Sequence, residues 1–353
     1  MVKGLVLSVL LAGSSLPAAA SERVELRLDT SEAEAVLHIL AKRESGRTIT
    51  GADWERLFAT EPYRRLKQRE ASLRRDFSDQ DFRAFVLSDE LARRAPDLRR
   101  TLEQWRRADL VATAGRILPY LPASASVRAK VYPVIKPAHN SFVFEVDTDP
   151  AIFLYLNPEQ SRAEFENTVA HECHHIGFAD ADRRYEQAVA ALPAGARKAA
   201  EWMGAFGEGL AVLAAAGSID VHPLRDFSAQ DRARWDQDMT GFDSELRELD
   251  QFFLDAIGDG FARPEIADHV GFAFLGYRGP WYVVGYRLGA EIERRFGRAV
   301  LVECMGDPRQ LVARYNQAAA EHNAAGKLPP LPLFSAAVLE AVLPEGSAAG
   351  RSQ

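Results

Sequence analysis

The chain has 353 residues, 47% hydrophobic and 26% charged, a composition that excludes a wholly disordered or fibrous protein. Its net charge of −7 lacks the basic excess that nucleic-acid binding requires. The pairs Arg64-Arg65, Arg74-Arg75, Arg93-Arg94 and Arg99-Arg100 are interleaved with acidic and apolar residues at helical spacing, and read as solvated helix faces.

Residues 1–20 have the form of a signal peptide. Lys3 supplies a positive start, Leu5 to Ala12 an apolar stretch, and Ala18-Ala19-Ala20 the small residues before a cleavage site. No later run reaches about 18 apolar residues, so no stable membrane span is expected after cleavage. The mature protein is expected to be exported, periplasmic or secreted. Export permits disulfides, but the chain has two cysteines, Cys173 and Cys304, and Cys173 fits better as a small apolar packing group than as half of a bridge.

Residues 21–125 read as an N-terminal helical region. Thr30 or Ser31 caps a first helix running through Lys42, and a second helical stretch follows Gly51-Ala52-Asp53. Helical segments over 61–75, 79–94 and 97–118 are separated by Pro62, Pro96 and Pro119. At Val127 the pattern changes. Val127–Ile135, Ser141–Val146 and Ala151–Leu156 are rich in β-branched and aromatic residues, with a turn at Pro137-Ala138-His139-Asn140, and predict three short strands. Ser161 and Glu164 form a capping box that opens a long helix. Further helices are predicted from Ala194 to Ala216 with Gly217 at the end, over 226–257, from Pro280 to near Gly297, and over 307–325. Residues 126–344 make the second unit, and the Gly/Ser/Ala-rich tail 345–353 reads as disordered. The fold class is α+β, mostly helical, with a small sheet preceding the helix that carries the chemistry.

That helix contains His171-Glu172-Cys173-His174-His175. Residues four apart lie one turn apart on one face, so His171 and His175 can converge on a single ion. Glu172 is about 100° around from His171, beside the ion rather than on it, where a general base of a zinc hydrolase stands. Phe165, Val169, Cys173 and Ile176 occupy the opposite face and are expected to be buried. His174 is expected to pack or to hydrogen-bond a neighbouring carbonyl or carboxylate rather than to ligate, because adjacent helical residues rarely reach one ion.

A catalytic zinc needs a third protein ligand. After His175 the chain reads Ile176-Gly177-Phe178-Ala179-Asp180, which is not the His-x-x-Gly-x-x-His continuation of a metzincin. Glu208 is the better third ligand. It stands alone among Ala205, Phe206, Leu210, Val212 and Leu213, where a carboxylate without a partner is costly. Glu201, two turns earlier, is the fallback. Gly204, Gly207 and Gly209 would let this helix approach the motif helix closely. The oxyanion of amide hydrolysis needs a further donor, and Tyr282 or Tyr286, four apart near Gly285 and Gly289, is a candidate, with His139 and His269 behind them.

With these residues the chain resembles the gluzincin peptidases, which carry HExxH on one helix and a glutamate ligand on the next. It is more closely similar to a family of zinc-dependent peptidases defined by a domain of unknown function, through Thr168 to Gly177, Glu208 to Ala211, Tyr282 and Phe296-Gly297. The resemblance covers about residues 127 to 320. It implies a zincin-like catalytic core with one Zn²⁺ held by His171, His175 and Glu208, Glu172 as base and proton shuttle, and a peptide or protein substrate. It also implies a sheet edge presented to an extended substrate, a part that would fall to Ala151–Leu156. The competing reading is a non-catalytic envelope binding protein stabilised by zinc.

Overall fold

The structure, a computed structural model, describes residues 22–258, 260–261, 264–276 and 279–343, so the expected signal peptide (1–20) and the expected disordered tail (345–353) lie outside the described residues. The fold is mostly helical with one four-stranded sheet, an α+β arrangement. Among the described residues no helix is long and apolar enough to cross a membrane.

The N-terminal part opens with a strand, β1 (Val24–Leu28), where only helix was expected. Val24, Leu26 and Leu28 alternate with Glu25 and Arg27, the period of a half-buried strand. Helices α1 (Ser31–Glu44), α2 (Gly51–Phe58), α3 (Glu61–Ser72), α4 (Asp79–Val86), α5 (Asp89–Trp105) and α6 (Leu110–Ile117) follow. Pro96 does not break the chain but lies inside α5. The break falls earlier, where the Ser88 hydroxyl accepts the Leu91 amide and starts α5 afresh.

The sheet has the order β1, β2 (Val127–Val134), β4 (Ala151–Tyr155), β3 (Phe142–Phe144). β1 and β2 are parallel, as are β2 and β4, while β3 runs antiparallel to β4. The expectation that Ala151–Leu156 forms the edge is therefore corrected: β4 is interior, and β1 and β3 are the two edges, with β3 beside β4. The physical reason is burial on both faces. Ile152 and Leu154 join the main helical core, whereas Ala151 and Phe153 pack with Leu66, Tyr132 and Val134 on the other side. An unbroken apolar run of this kind suits an inner strand. Pro133 is tolerated in β2 because β1 ends its pairing at Val131, leaving that side of the strand without a ladder to interrupt.

One arginine departs from its predicted solvated face. Arg65 on α3 is only 5% exposed. It donates to Glu145 Oε2 at 2.6 Å and to Asp149 Oδ2 at 3.0 Å, tying the β3–β4 connection to the N-terminal helices. Arg69 lies over the Phe142 ring at 3.7 Å. The helical N-terminal part thus holds the edge strand in place.

After the sheet come α7 (Arg162–Val189), α8 (Ala194–Met203), a 3₁₀ turn (Gly204–Phe206) and α9 (Gly207–Ala216). The single helix expected over 194–216 is thus two, joined by that turn; Gly217, at φ 82°, ends α9 as expected. Helices α10 (Ala229–Thr240) and α11 (Phe242–Ile257) divide at Gly241. α12 (Pro264–Ala273), α13 (Pro280–Phe296), α14 (Arg298–Met305), α15 (Pro308–Ala325) and α16 (Ala336–Val342) complete the chain.

Candidate metal centre

The capping box at the start of α7 forms as the sequence dictates: Ser161 Oγ accepts the Glu164 amide, and Glu164 accepts the Ser161 amide. Phe165, Val169 and Cys173 are fully buried and Ile176 nearly so. Each large apolar side chain buried this way stabilises the fold by about 1.5–3 kcal/mol. This face fixes the rotation of the helix and leaves His171 and His175 on the open side. Cys173 and Cys304 are both buried and free.

α9 packs between α7 and α13. The glycine that allows the close approach is Gly209, and its partner is α13 rather than the motif helix. A Cβ on Gly209 would stand 2.4 Å from the Tyr282 carbonyl oxygen, and one on Gly285 would stand 2.4 Å from that of Phe206. No Cβ-bearing residue fits at this crossing without displacing backbone. Gly204 and Gly207 have open space instead.

This packing carries Glu208 to the two histidines. His171 Nε2 is 3.2 Å from Glu208 Oε2 and 3.1 Å from His175 Nε2, and His175 Nε2 is 3.7 Å from Glu208 Oε1. All three residues offer ligand atoms within 4.8 Å of one another. Ligands held tetrahedrally by zinc at about 2.0–2.1 Å stand about 3.4 Å apart, so the spacing and the two-nitrogen, one-oxygen donor set fit a zinc ion. Electrostatics agree. Burial opposes ionisation of Glu208, yet the two imidazoles outweigh it and hold its carboxyl well below the usual carboxylate range. Burial likewise opposes a charge on His175, but the carboxylates of Glu208 and Glu172 raise it to about 9. A dication replaces the proton that such a cluster otherwise keeps.

The cleft above these groups, about 320 Å³, is lined by Ser141, Phe142, Val143, Glu172 and Tyr282 together with His171, His175 and Glu208. Burial raises the pKa of Glu172, opposed by His171 and His175. Tyr282 is in the first turn of α13, its ring nearly parallel to that of His171 with centroids 6.4 Å apart. Tyr286, one turn further, is not brought to the cleft: it is 8% exposed and packs edge-on to Trp235 of α10 at 5.3 Å. Glu201 is not brought to the cluster either, and pairs with Lys198 at 3.3 Å. His139 is exposed and stacks on Tyr155, and His269 is exposed on α12. His174 is buried against Phe178 at 4.9 Å, and burial drives its pKa well below the ordinary value. Sequence reasoning did not single out Ser141, Phe142 and Val143 as lining residues; their only signal was a short strand just before the motif helix.

A family described as "Putative zinc dependent peptidase (DUF5700)" matches residues 54–324, and the chain belongs to it. The match takes in the motif helix, Glu208 and Tyr282, and reaches back over α3, whose Arg65 and Arg69 brace the sheet edge. No curated protein and no solved structure matches the chain.

Proposed function

We propose that this chain is an exported zinc peptidase of the gluzincin type, hydrolysing peptide bonds with Glu172 as general base and one zinc ion on His171, His175 and Glu208. The observation that carries the reading is the convergence of three ligand atoms from α7 and α9 in a cleft that also holds Glu172 and the edge strand β3. Zinc in such a site supplies Lewis acidity, polarising a carbonyl and acidifying water. Glu172 takes the proton of the attacking water and hands it to the leaving amine, a role suited to a carboxyl whose pKa burial raises. Tyr282 donates its hydroxyl to the developing oxyanion. β3 pairs only with β4 within the sheet, and its outer edge offers backbone groups to an extended peptide. The charged and then apolar first twenty residues support export.

The test is a broad set of internally quenched peptides incubated with the zinc-loaded chain. Cleavage is expected, abolished by a chelator and restored by zinc. A protein that carries one zinc per chain yet cuts nothing would overturn the peptidase reading and leave a zinc-binding protein without turnover.

A further inference from the structure

A second cavity, of about 330 Å³, shares His175 and Glu208 with the metal cluster and runs on along α7 past Asp182 and Glu186. Its size is at the low end for a ligand pocket, right for one side chain. The two carboxylates continue the ligand face of the helix. At about 100° per residue, Asp182 and Glu186 fall within about 60° of His171 and His175. They stand one turn from each other, and among the described residues neither has an ion-pair partner within 4.0 Å. Like charges at this spacing repel unless a cation joins them. None of the lining residues is a lysine or arginine, while Val189, Leu210 and Met305 give the wall an apolar stretch. That mixture matches an amphipathic cation, with methylenes along the wall and the charge at the acids.

His174 supplies an independent observation. It lies in the wall of this cavity, is 3% exposed, and has no hydrogen-bond partner at either ring nitrogen. Buried polar atoms are nearly always paired, and the acceptor nitrogen of the neutral imidazole can take an incoming N–H donor. Length points the same way. Asp182 is seven residues beyond His175, about 10 Å along the helix axis. One residue of extended chain covers only about 3.3–3.6 Å of that, and a long side chain must cover the rest.

We propose that this cavity is a specificity subsite taking the lysine or arginine side chain of a residue flanking the cleaved bond. The inference rests on the peptidase reading of the metal centre.

The test compares peptides that differ at a single position, lysine, arginine or norleucine, using the zinc-loaded full chain, Glu186→Gln, and Asp182→Asn with Glu186→Gln. Both positions are exposed on α7, and melting temperature with zinc content establishes that each variant is folded. The expected result is a kcat/KM about tenfold or more higher for the cationic peptides. That ratio falls below about twofold in the double variant and to an intermediate value in Glu186→Gln. Cleavage without a cation preference, or with a preference the double variant keeps, overturns the subsite while leaving the peptidase reading intact. If no peptide is cut, the peptidase reading fails and calorimetric binding of the same peptides decides. Tighter binding of the cationic peptides, lost in the double variant, still supports the cavity; equal binding overturns it.

Discussion

Gly209 lies so close to Tyr286 that a Cβ built on it would stand 2.2 Å from the Tyr286 amide nitrogen. The neighbour is backbone, which does not swing aside as a side-chain tip does. Gly209→Ala therefore forces α9 away from α13, and Glu208, the adjacent residue, moves with it. Overpacking of this kind costs about 1–3 kcal/mol. We expect a lower melting temperature and a zinc affinity reduced about tenfold or more, read by thermal denaturation and a competitive zinc titration. Gly207→Ala is the matched control. It has open space and is in a helix, where alanine is favoured over glycine by about 0.5–1 kcal/mol. Equal effects of the two substitutions would refute the crossing argument.

Glu172 lines the cleft without belonging to the ligand cluster. Glu172→Gln keeps the shape and removes the proton acceptor. Zinc content and melting temperature are expected to stay close to those of the parent chain, while kcat/KM on any cleaved peptide falls about 10²–10⁴-fold. Loss of zinc together with activity would assign Glu172 to the metal instead.

The convergence of His171, His175 and Glu208 was legible in the sequence because it depends on local rules. An i, i+4 pair on a helix fixes two ligands whatever the fold, and a solitary carboxylate in a small, apolar stretch marks itself by its cost. The caps at Ser161 and Gly217 and the start at Pro280 were legible for the same reason. The sheet order was not. Whether β3 or β4 takes the edge depends on pairings between distant segments, and the burial of β4 on both faces was written only in its unbroken apolar run. β1 is five residues long, too short for its alternation to stand out against the helices that follow. Tyr282 and Tyr286 share helical spacing, and only the packing of Trp235 separates the one in the cleft from the one in the core. Arg65 reads as a surface charge until the Glu145 and Asp149 carboxylates meet it.

His175 carries a pKa raised to about 9 beside the carboxylate of Glu208, so near neutral pH the cluster holds a proton that zinc must displace. Calorimetric zinc titrations at pH 7, in buffers of different ionisation enthalpy, are expected to show about one proton released per zinc. The release should fade as pH rises through 9. The same pair sets a stability window in the chain without metal. The raised His175 contributes fully below its unfolded value of 6.5 and loses its contribution as pH rises through about 9. The depressed Glu208 contributes above 4.5 and loses its contribution only in strong acid. Zinc binding without proton release at pH 7 would show that His175 is already neutral.

Glu32, at the start of α1, is fully buried. Its Oε2 accepts the Ile135 amide at 2.9 Å just beyond β2, while Oε1 has no partner. Burial raises its pKa to about 8 against the opposing pull of that amide and of Lys136. The folded chain therefore binds a proton here that the unfolded chain, with a value of 4.5, has already lost, and stability must fall as pH rises from 4.5 through 8. Glu32→Gln keeps an acceptor for Ile135 and removes the titration. It is expected to change stability little at pH 5 and to raise it at pH 8.5 by an amount on the order of a few kcal/mol. Urea denaturation of both chains at the two pH values measures the difference directly. A substitution that destabilises equally at both would mean that Glu32 is ionised in the folded protein and that its charge is satisfied by Lys136.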